Sequence, residues 1–316
     1  MPLKMERGNA RLKFFDRYLG PLLLVLLLPL KLFRLGSSVS ELASVGLLKT
    51  AAIGDTVLLS AIINDLRFHN PTIKITLFTG GSNFEFSKLL SGIDEVVKLP
   101  LTNPIKCLKI IRAQRFDVFF DFDAWPRISA LFAALSKARV RVGYRTSKQH
   151  RHFMFDRVVE HRSDVHELEN YRALLGAIGV DGTSLPQDLR YPWRAGSKTV
   201  VFHLWPSGTQ SYLKEWPWLE WQNLARKLMT QGLTDFVLTG GKEDLERTKV
   251  LIDSLPIDLR DRFRSSAGSK FVETLELLQS SALLVSVNTG IMHVGAAMGV
   301  PTLGLHGPTD PKRWGP

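Results

Sequence analysis

The sequence predicts an α/β protein with two domains, each built around a parallel sheet, and an N-terminal segment that associates with a membrane. From about residue 44, short apolar runs alternate with longer helical patterns, as in β-α-β units. The same rhythm restarts after a turn-rich stretch at 181–198. An apolar run with basic flanks precedes both parts. With 316 residues, the chain is long enough for two ordinary domains.

The charge and cysteine content exclude several classes of protein. The single cysteine, Cys107, cannot form an intramolecular disulfide or a cysteine-rich zinc site, which indicates a reducing environment. The net charge of +11 is concentrated in two patches, with +5 in residues 1–34 and +6 in residues 137–162. The remainder of the chain is formally neutral. This distribution argues against a nucleic-acid-binding protein and predicts two local basic surfaces.

The segment 1–36 is predicted to associate with a membrane surface, chiefly through residues 18–34. Its centre, Leu22–Leu28, is uninterrupted apolar sequence between Pro21 and Pro29. This run is shorter than the roughly 20 residues that a spanning helix needs. Basic residues on both sides favour two cytoplasmic flanks, as in a re-entrant or interface-lying segment. A cleaved signal peptide and a buried amphipathic helix are the alternatives.

The first predicted domain covers residues 37–185. Apolar residues at helical spacing predict a helix over Thr56–Phe68. Short apolar runs predict strands at Val45–Thr50, Lys74–Phe78, Val96–Leu99 and Asp117–Phe122.

The second predicted domain covers residues 186–316 and repeats the pattern. Its predicted strands are Val200–Leu204, Asp235–Thr239, Leu283–Val287 and Thr302–Leu305. Its predicted helices are Leu219–Gln231, Glu243–Ser254, Val272–Ser280 and Ile291–Met298. Two α/β domains of this kind usually bind ligand in the cleft between them, at the carboxyl ends of their strands.

Asp55 is the candidate catalytic carboxylate. It lies where the first strand passes into its helix, at the carboxyl end of the sheet, where ligands bind in this class of fold. An aspartate at a helix start is also an ordinary N-cap, which favours the helix dipole. Both interpretations stay open on the sequence alone.

Three further segments are candidates for binding a phosphorylated ligand. The turn from Asn288 to His293 brings backbone N–H groups to a helix start, where they can bind phosphate, although a lone histidine is often structural. The rigid turn Gly307–Pro311 follows the last strand and is otherwise a plain turn. Lys214 could pair with a diphosphate or be an ordinary surface lysine.

A metal site is not predicted. Asp121 and Asp123 have the Asp-x-Asp spacing of some metal pairs, but they directly follow a buried type of strand and lack a further ligand cluster. The sequence also lacks a P-loop and the glycine pattern of dinucleotide-binding proteins.

Together these residues resemble glycosyltransferase family nine, the ADP-heptose:lipopolysaccharide heptosyltransferases. The resemblance runs from about Val45 to Pro316 through four ordered motifs. They are Gly54-Asp55 after the first strand, Lys214-x-Trp-Pro, Thr-Gly-x-x-His at Thr289–His293, and Gly-Pro-Thr-Asp-Pro from Gly307. Each motif is weak by itself, but their order and their positions after the expected strands make the set specific.

The resemblance implies a GT-B fold, in which two Rossmann-like domains have parallel sheets facing a central cleft. It implies inverting, metal-independent sugar transfer without a cofactor, most simply of heptose from ADP-heptose, with Asp55 as general base. The implied donor-binding residues are Ser207, Thr209, Lys214, Glu243, Asn288, Thr289, Gly290 and His293. The implied acceptor-binding residues are Arg141, Arg145, Lys148 and Arg151, which would meet an anionic lipopolysaccharide-type acceptor at the cytoplasmic face of the inner membrane.

The sequence departs from the family pattern at three places. Asn288 stands where an aspartate is common, Asp123 stands where an amide is usual, and the resemblance implies a last helix beyond Pro316, where the sequence given ends. These departures keep a second hypothesis open. It is a non-catalytic GT-B relative that binds a nucleotide or an anionic glycolipid.

Overall fold

The computed structural model describes residues 10–29, 42–187, 191–206 and 211–316, with the backbone alone for 10–13. The described residues form two compact units, which divide between Pro186 and Gln187. We refer to them as the N-terminal unit and the C-terminal unit. Each has its own parallel sheet, so the predicted α/β fold with two parallel sheets is confirmed.

The N-terminal unit is built on six parallel strands in the order β3-β2-β1-β4-β5-β6. The central strands are nearly continuous apolar sequence because helices cover both faces of such a sheet. The strand order reverses between β1 and β4, the position at which doubly wound sheets bind ligands. The strands are β1 Ser44–Lys49, β2 Lys74–Thr79, β3 Glu95–Lys98, β4 Phe116–Asp121, β5 Ala138–Arg145 and β6 Arg157–Glu160.

The helices of this unit bury a core rich in phenylalanine. Phe78, Phe116, Phe119 and Phe155 pack together there with small and aliphatic side chains. The helices are α1 Ala10–Leu27, α2 Ile53–His69, α3 Phe84–Ser87, α4 Pro104–Ile111, α5 Arg127–Leu135 and α6 Glu167–Gly176, with a 3₁₀ turn at Arg151–Met154. Helix α4 shows how the local sequence sets a helix start. The side chain of its N-cap residue, Asn103, accepts the N–H of Lys106, and Pro104 is its first residue.

The C-terminal unit is built on five parallel strands in the order β11-β10-β7-β8-β9, which reverses between β7 and β10. Its strands are β7 Thr199–His203, β8 Asp235–Thr239, β9 Phe263–Ser265, β10 Leu283–Val287 and β11 Thr302–Leu305. Its helices are α7 Trp218–Met229, α8 Leu245–Asp253, α9 Ile257–Arg260, α10 Phe271–Gln279, α11 Gly290–Ala297 and α12 Pro311–Trp314, with 3₁₀ turns at Ser211–Lys214 and Lys242–Asp244. Phe202, Trp221 and Phe236 lie at the centre of its core.

The second basic patch, residues 137–162, contains strands β5 and β6 with a 3₁₀ turn between them, and two of its arginines are internal. Arg141 lies on β5, where its guanidinium pairs with Asp156 at 2.9 Å and donates to the carbonyl of Ala138. Arg151 is fully buried and pairs with Asp121 at the end of β4. Both guanidinium groups are thus buried among protein partners, and their binding of an acceptor stays a prediction.

Helix α1 packs along α5. Leu24 is buried in the core of the N-terminal unit, and Asp16 accepts the N–H of Ile128 at 2.9 Å in the first turn of α5. Among the described residues, none of the helices is both long and apolar enough to traverse a bilayer. The predicted segment 1–36 lies partly outside the described residues, and its association with a membrane stays a prediction.

We expect Arg151→Met to lower the free energy of unfolding by about 3 to 5 kcal/mol, because it leaves the buried Asp121 carboxylate without its cation. Chemical denaturation measures the change. Arg145→Met is the matched control, since that guanidinium is exposed and pairs with Glu160, which is also exposed. The control should change stability by less than about 1 kcal/mol. Equal effects of the two variants would contradict a structural role for Arg151.

We expect Gly80→Ala to lower the free energy of unfolding by about 1 to 3 kcal/mol. A Cβ atom at Gly80 would lie 2.0 Å from the backbone oxygen of Thr50, so the chain must shift. The neighbouring Gly81→Ala is the control, because its Cβ would meet only the end of the Lys98 side chain at 3.8 Å. Thermal unfolding of both variants checks this, and a stable Gly80→Ala protein would refute the close approach.

Candidate active site

The ammonium group of Lys49 is the centre of the candidate site in the N-terminal unit. It lies at the carboxyl end of β1, with its Nζ 2.8 Å from Oδ2 of Asp55 and 3.2 Å from Oδ1 of Asp123. Burial alone would lower its pKa, but Asp55, Tyr171 and Asp123 together outweigh burial and hold the pKa of Lys49 well above its ordinary value. Lys49 is therefore a permanent cation at this edge of the sheet.

The turn between β1 and α2 is held from several sides. Both the N–H and the hydroxyl of Thr50 donate to Oδ2 of Asp123, at 2.9 and 2.5 Å. The side-chain amide of Asn83 donates to the carbonyl of Lys49 and to the hydroxyl of Thr56, both at 2.9 Å. Ala52 has a φ of 72°, which costs a residue with a Cβ about 1 to 3 kcal/mol. The surrounding bonds maintain this strained turn.

Asp55 is not the N-cap of α2. The cap position is Ala52, which has no side-chain capping bond, and Asp55 lies in the first helical turn. The helix-cap interpretation of Asp55 is thus wrong in its geometry, although a carboxylate in the first turn still favours the helix dipole. About 28% of the Asp55 side chain is exposed, against 5% for Asp123, so Asp55 is the carboxylate of the pair that a ligand can reach.

Asp121 and Asp123 are both committed to protein partners. Asp121 pairs with Arg151 through Oδ2, and its Oδ1 accepts the N–H of Asp123 at 3.1 Å. Burial raises the pKa of Asp121 to about 6, against the opposing effect of Arg151. Asp123 accepts from Thr50 and pairs with Lys49. The two carboxylates therefore hold neighbouring groups of the site in place.

Two of the predicted acceptor-binding residues remain accessible. Arg145 ends β5 and pairs with Glu160 at 3.2 Å, where both side chains are more than half exposed and the pair is weak. Lys148 is exposed in the following loop, in a left-handed conformation with a φ of 62°. These two cations are available to an anionic ligand.

In the C-terminal unit, the start of helix α11 lies directly after β10, beside the reversal of strand order. Its N-cap residue, Thr289, is extended and makes no side-chain capping bond. The first N–H groups of the helix, from Gly290 onward, are thus oriented to bind an anion. His293 is buried one turn further along the same helix.

Asn288 fastens the turn after β11 to the end of β10. Its amide donates to the hydroxyl of Thr309 at 2.7 Å and lies 3.3 Å from Nδ1 of His306. The hydroxyl of Thr309 in turn donates to the carbonyl of His306 at 2.6 Å. The predicted segments at 288–293 and 307–311 are therefore one connected structure.

Lys214 lies beside the same turn. A Cβ atom at Gly307, where φ is 56°, would be 3.4 Å from the Cα of Lys214, so the two backbones are close neighbours. Burial lowers the pKa of the Lys214 ammonium. Within the described ranges that ammonium forms no ion pair. A bound anion would stabilise the charged form of this half-buried lysine.

Glu243 is exposed in the 3₁₀ turn after β8, at the same edge of the sheet. The neighbouring Asp244 is buried, accepts the N–H of Gly241 at 2.8 Å and pairs with Arg247 at 2.7 Å. The guanidinium of Arg247 lies 3.5 Å from the ring centre of Trp205, which follows β7. Ser207 and Thr209, the other two predicted donor-binding residues, lie outside the described residues.

Sequence reasoning missed Lys49 and Asn83. A lysine that ends an otherwise apolar strand beside the Gly-Asp motif was the available signal for Lys49, since a buried ammonium needs carboxylates nearby. Nothing in the local sequence distinguishes Asn83, whose partners lie 34 and 27 residues earlier in the chain.

Comparisons with known proteins find heptosyltransferases similar to this chain. Lipooligosaccharide heptosyltransferase 2 of Haemophilus influenzae is 32% identical over 100 residues, which is 31% of this chain and 29% of that protein. Lipopolysaccharide heptosyltransferase 1 of Escherichia coli K12 is 23% identical over 296 residues, 84% of this chain and 88% of that protein.

The fold is also similar to that of solved structures. The structure of the E. coli heptosyltransferase WaaC with ADP superposes with a TM-score of 0.72 at 19% identity, covering 86% of this chain and 90% of that one. The family model of glycosyltransferase family 9 (heptosyltransferase) matches residues 105–316, about two thirds of the sequence. The chain therefore belongs to glycosyltransferase family 9, the heptosyltransferase family.

Proposed function

We propose that this protein is an inverting glycosyltransferase that transfers heptose from ADP-heptose to a lipopolysaccharide core-type acceptor, with Asp55 as the general base. The observation that carries the proposal is the ion pair that orients the accessible Asp55 carboxylate at the reversal of strand order in the N-terminal unit. Family membership supports the reaction class. Solved structures of the E. coli heptosyltransferase WaaC contain ADP and ADP-2-deoxy-2-fluoro heptose, which supports the choice of donor.

On the acceptor side, Asp55 would remove the proton from the attacking hydroxyl. The oxygen of that hydroxyl forms a bond to the anomeric carbon while the bond to the diphosphate oxygen breaks, and ADP leaves with the electron pair. A single displacement of this kind inverts the anomeric centre and needs only one carboxylate. Lys49 would hold the Asp55 carboxylate in position through their ion pair at 2.8 Å.

On the donor side, the C-terminal unit would bind the diphosphate. The uncapped start of α11 at Thr289 and Gly290 offers N–H donors, and Lys214 offers a positive charge beside the connected turn. These groups would stabilise the charge that develops on the departing ADP. Glu243 would contact the ribose of the donor. His293 and Asn288 would line the same donor site. Ser207 and Thr209, in the loop before Lys214, would contact phosphate.

The proposed reaction uses no metal ion and no cofactor. Its support is that Lys214 and the start of α11 can neutralise the diphosphate, whereas Asp121 and Asp123 are engaged by Arg151, Thr50 and Lys49. Arg145 and Lys148 would bind the phosphates of the acceptor. We place the enzyme at the cytoplasmic face of the inner membrane, where a lipid-linked acceptor of this type would be available.

We expect Asp55→Asn to lower the transfer rate about a hundredfold to ten-thousandfold, the usual contribution of a general base. The amide keeps the shape of the side chain, so ADP binding should stay close to wild type, whereas thermal stability should fall because the buried Lys49 loses one of its two carboxylates. The rate is measured as ADP released in the presence of acceptor. A variant with normal turnover would overturn the role of Asp55.

The matched control for this variant is Glu85→Gln. Glu85 is also an acidic residue in the first turn of a helix paired with a lysine, but it is exposed and lies outside the site. Its transfer rate should be unchanged. If the wild-type chain binds nucleotide but transfers no sugar, the alternative of a non-catalytic nucleotide-binding relative would replace the enzyme.

We expect ADP and ADP-heptose, but not UDP, GDP or CDP, to stabilise the protein against heat. A ligand at 100 times its dissociation constant adds about 2.7 kcal/mol to the free energy of unfolding. Stabilisation by another nucleotide would change the proposed donor.

Lys214→Ala should weaken ADP binding roughly tenfold to a hundredfold, because it removes a charged contact to the diphosphate. Lys249→Ala, at an exposed lysine of α8, is the control.

A further inference from the structure

The outer face of helix α1 is apolar and open to solvent. We define this outer face as the eight large apolar side chains between Phe14 and Leu26, each 43% to 63% exposed. Among the exposed residues of this stretch, only Arg17 is charged. A contiguous apolar surface of this kind marks a site of interaction, because water does not favour its exposure.

The opposite face of α1 is fixed to the protein. Asp16, Gly20 and Leu24 follow one another at intervals of four residues, which places them on one stripe of the helix. Asp16 binds the start of α5, Gly20 lies against the side chain of Arg127, and Leu24 is buried in the core. The helix is therefore a docked part of the N-terminal unit rather than a loose tail.

The docking also connects α1 to the basic loop after β5. Arg127 pairs with Asp16 at 3.7 Å and donates to the carbonyls of Lys148 and Gln149. The exposed Lys148 thus lies beside the helix, and Arg17 projects at its edge, 5.8 Å from the ring centre of Tyr18. Cations border an apolar face that includes aromatic rings.

We infer that the outer face of α1 lies in the surface of an anionic lipid bilayer, parallel to the membrane plane. The apolar side chains would lie at the boundary between headgroups and acyl chains. The bordering cations would contact the anionic headgroups. A spanning orientation conflicts with the docked stripe, which must stay on α5. This inference deepens the membrane placement proposed above and depends on that proposal only for the choice of leaflet.

Flotation of the full chain with vesicles tests the inference. The vesicles are phosphatidylcholine alone or phosphatidylcholine with phosphatidylglycerol, without donor or acceptor, so the result is independent of sugar transfer. We expect wild-type protein to float with the anionic vesicles. Replacing Phe15, Leu22 and Leu26 by glutamine should lower the partition coefficient at least about tenfold.

A matched triple variant controls for the loss of exposed apolar surface in general. Phe68, Ile105 and Ile257 are 92%, 71% and 90% exposed and lie outside α1, so their replacement by glutamine should leave flotation unchanged. Thermal unfolding and stabilisation by ADP show that each variant is folded. Equal binding by the α1 variant and wild type, or no binding by wild type, would overturn the inference.

A spectroscopic probe gives an independent readout. Val25→Cys places a thiol on the outer face, and the natural Cys107 is fully buried, so an environment-sensitive dye labels the new site. We expect a blue shift of its emission on anionic vesicles. If light scattering instead shows a dimer that the α1 variant abolishes and vesicles do not displace, a second copy of the chain covers this face and the lipid inference is wrong.

Discussion

The buried ammonium of Lys49 is the interaction on which the candidate site depends. A lysine at the end of a central strand loses its hydration, and two carboxylates must compensate for that loss. Asp123 supplies one of them and at the same time fixes Thr50 through two hydrogen bonds. Asp55 supplies the other and is thereby held at the surface of the unit. One desolvated charge thus orders both the turn and the accessible carboxylate of Asp55.

The candidate sites of the two units lie at corresponding positions but are built from different groups. Each places its site where the order of parallel strands reverses, because the loops diverge there and leave backbone and side chains free. The N-terminal unit uses a fixed cation to hold a carboxylate. The C-terminal unit uses an uncapped helix start, a half-buried lysine and a turn fastened by Asn288. The first arrangement suits proton transfer, and the second suits an anion.

The sequence predicted most of the fold because apolar runs set off by turns are a local signal. Strands β8, β10 and β11 have the predicted limits. Strand β5 was hidden because arginine alternates with apolar residues, so it resembled a charged patch. The internal position of Arg151 was not predicted for a related reason: its partner Asp121 lies thirty residues earlier, and the number of charges in a segment does not show which side chains are buried. Asp55 was found by its motif, but its link to Lys49 required the fold.

The outer face of α1 also governs how the isolated chain behaves in water. In buffer without lipid or detergent, molecules lower their free energy by bringing these apolar faces together. The resulting clusters would grow with protein concentration and would reflect the solvent rather than a native quaternary structure. Apparent molecular mass, solubility and colloidal stability of this chain are therefore informative only in a medium that covers the helix.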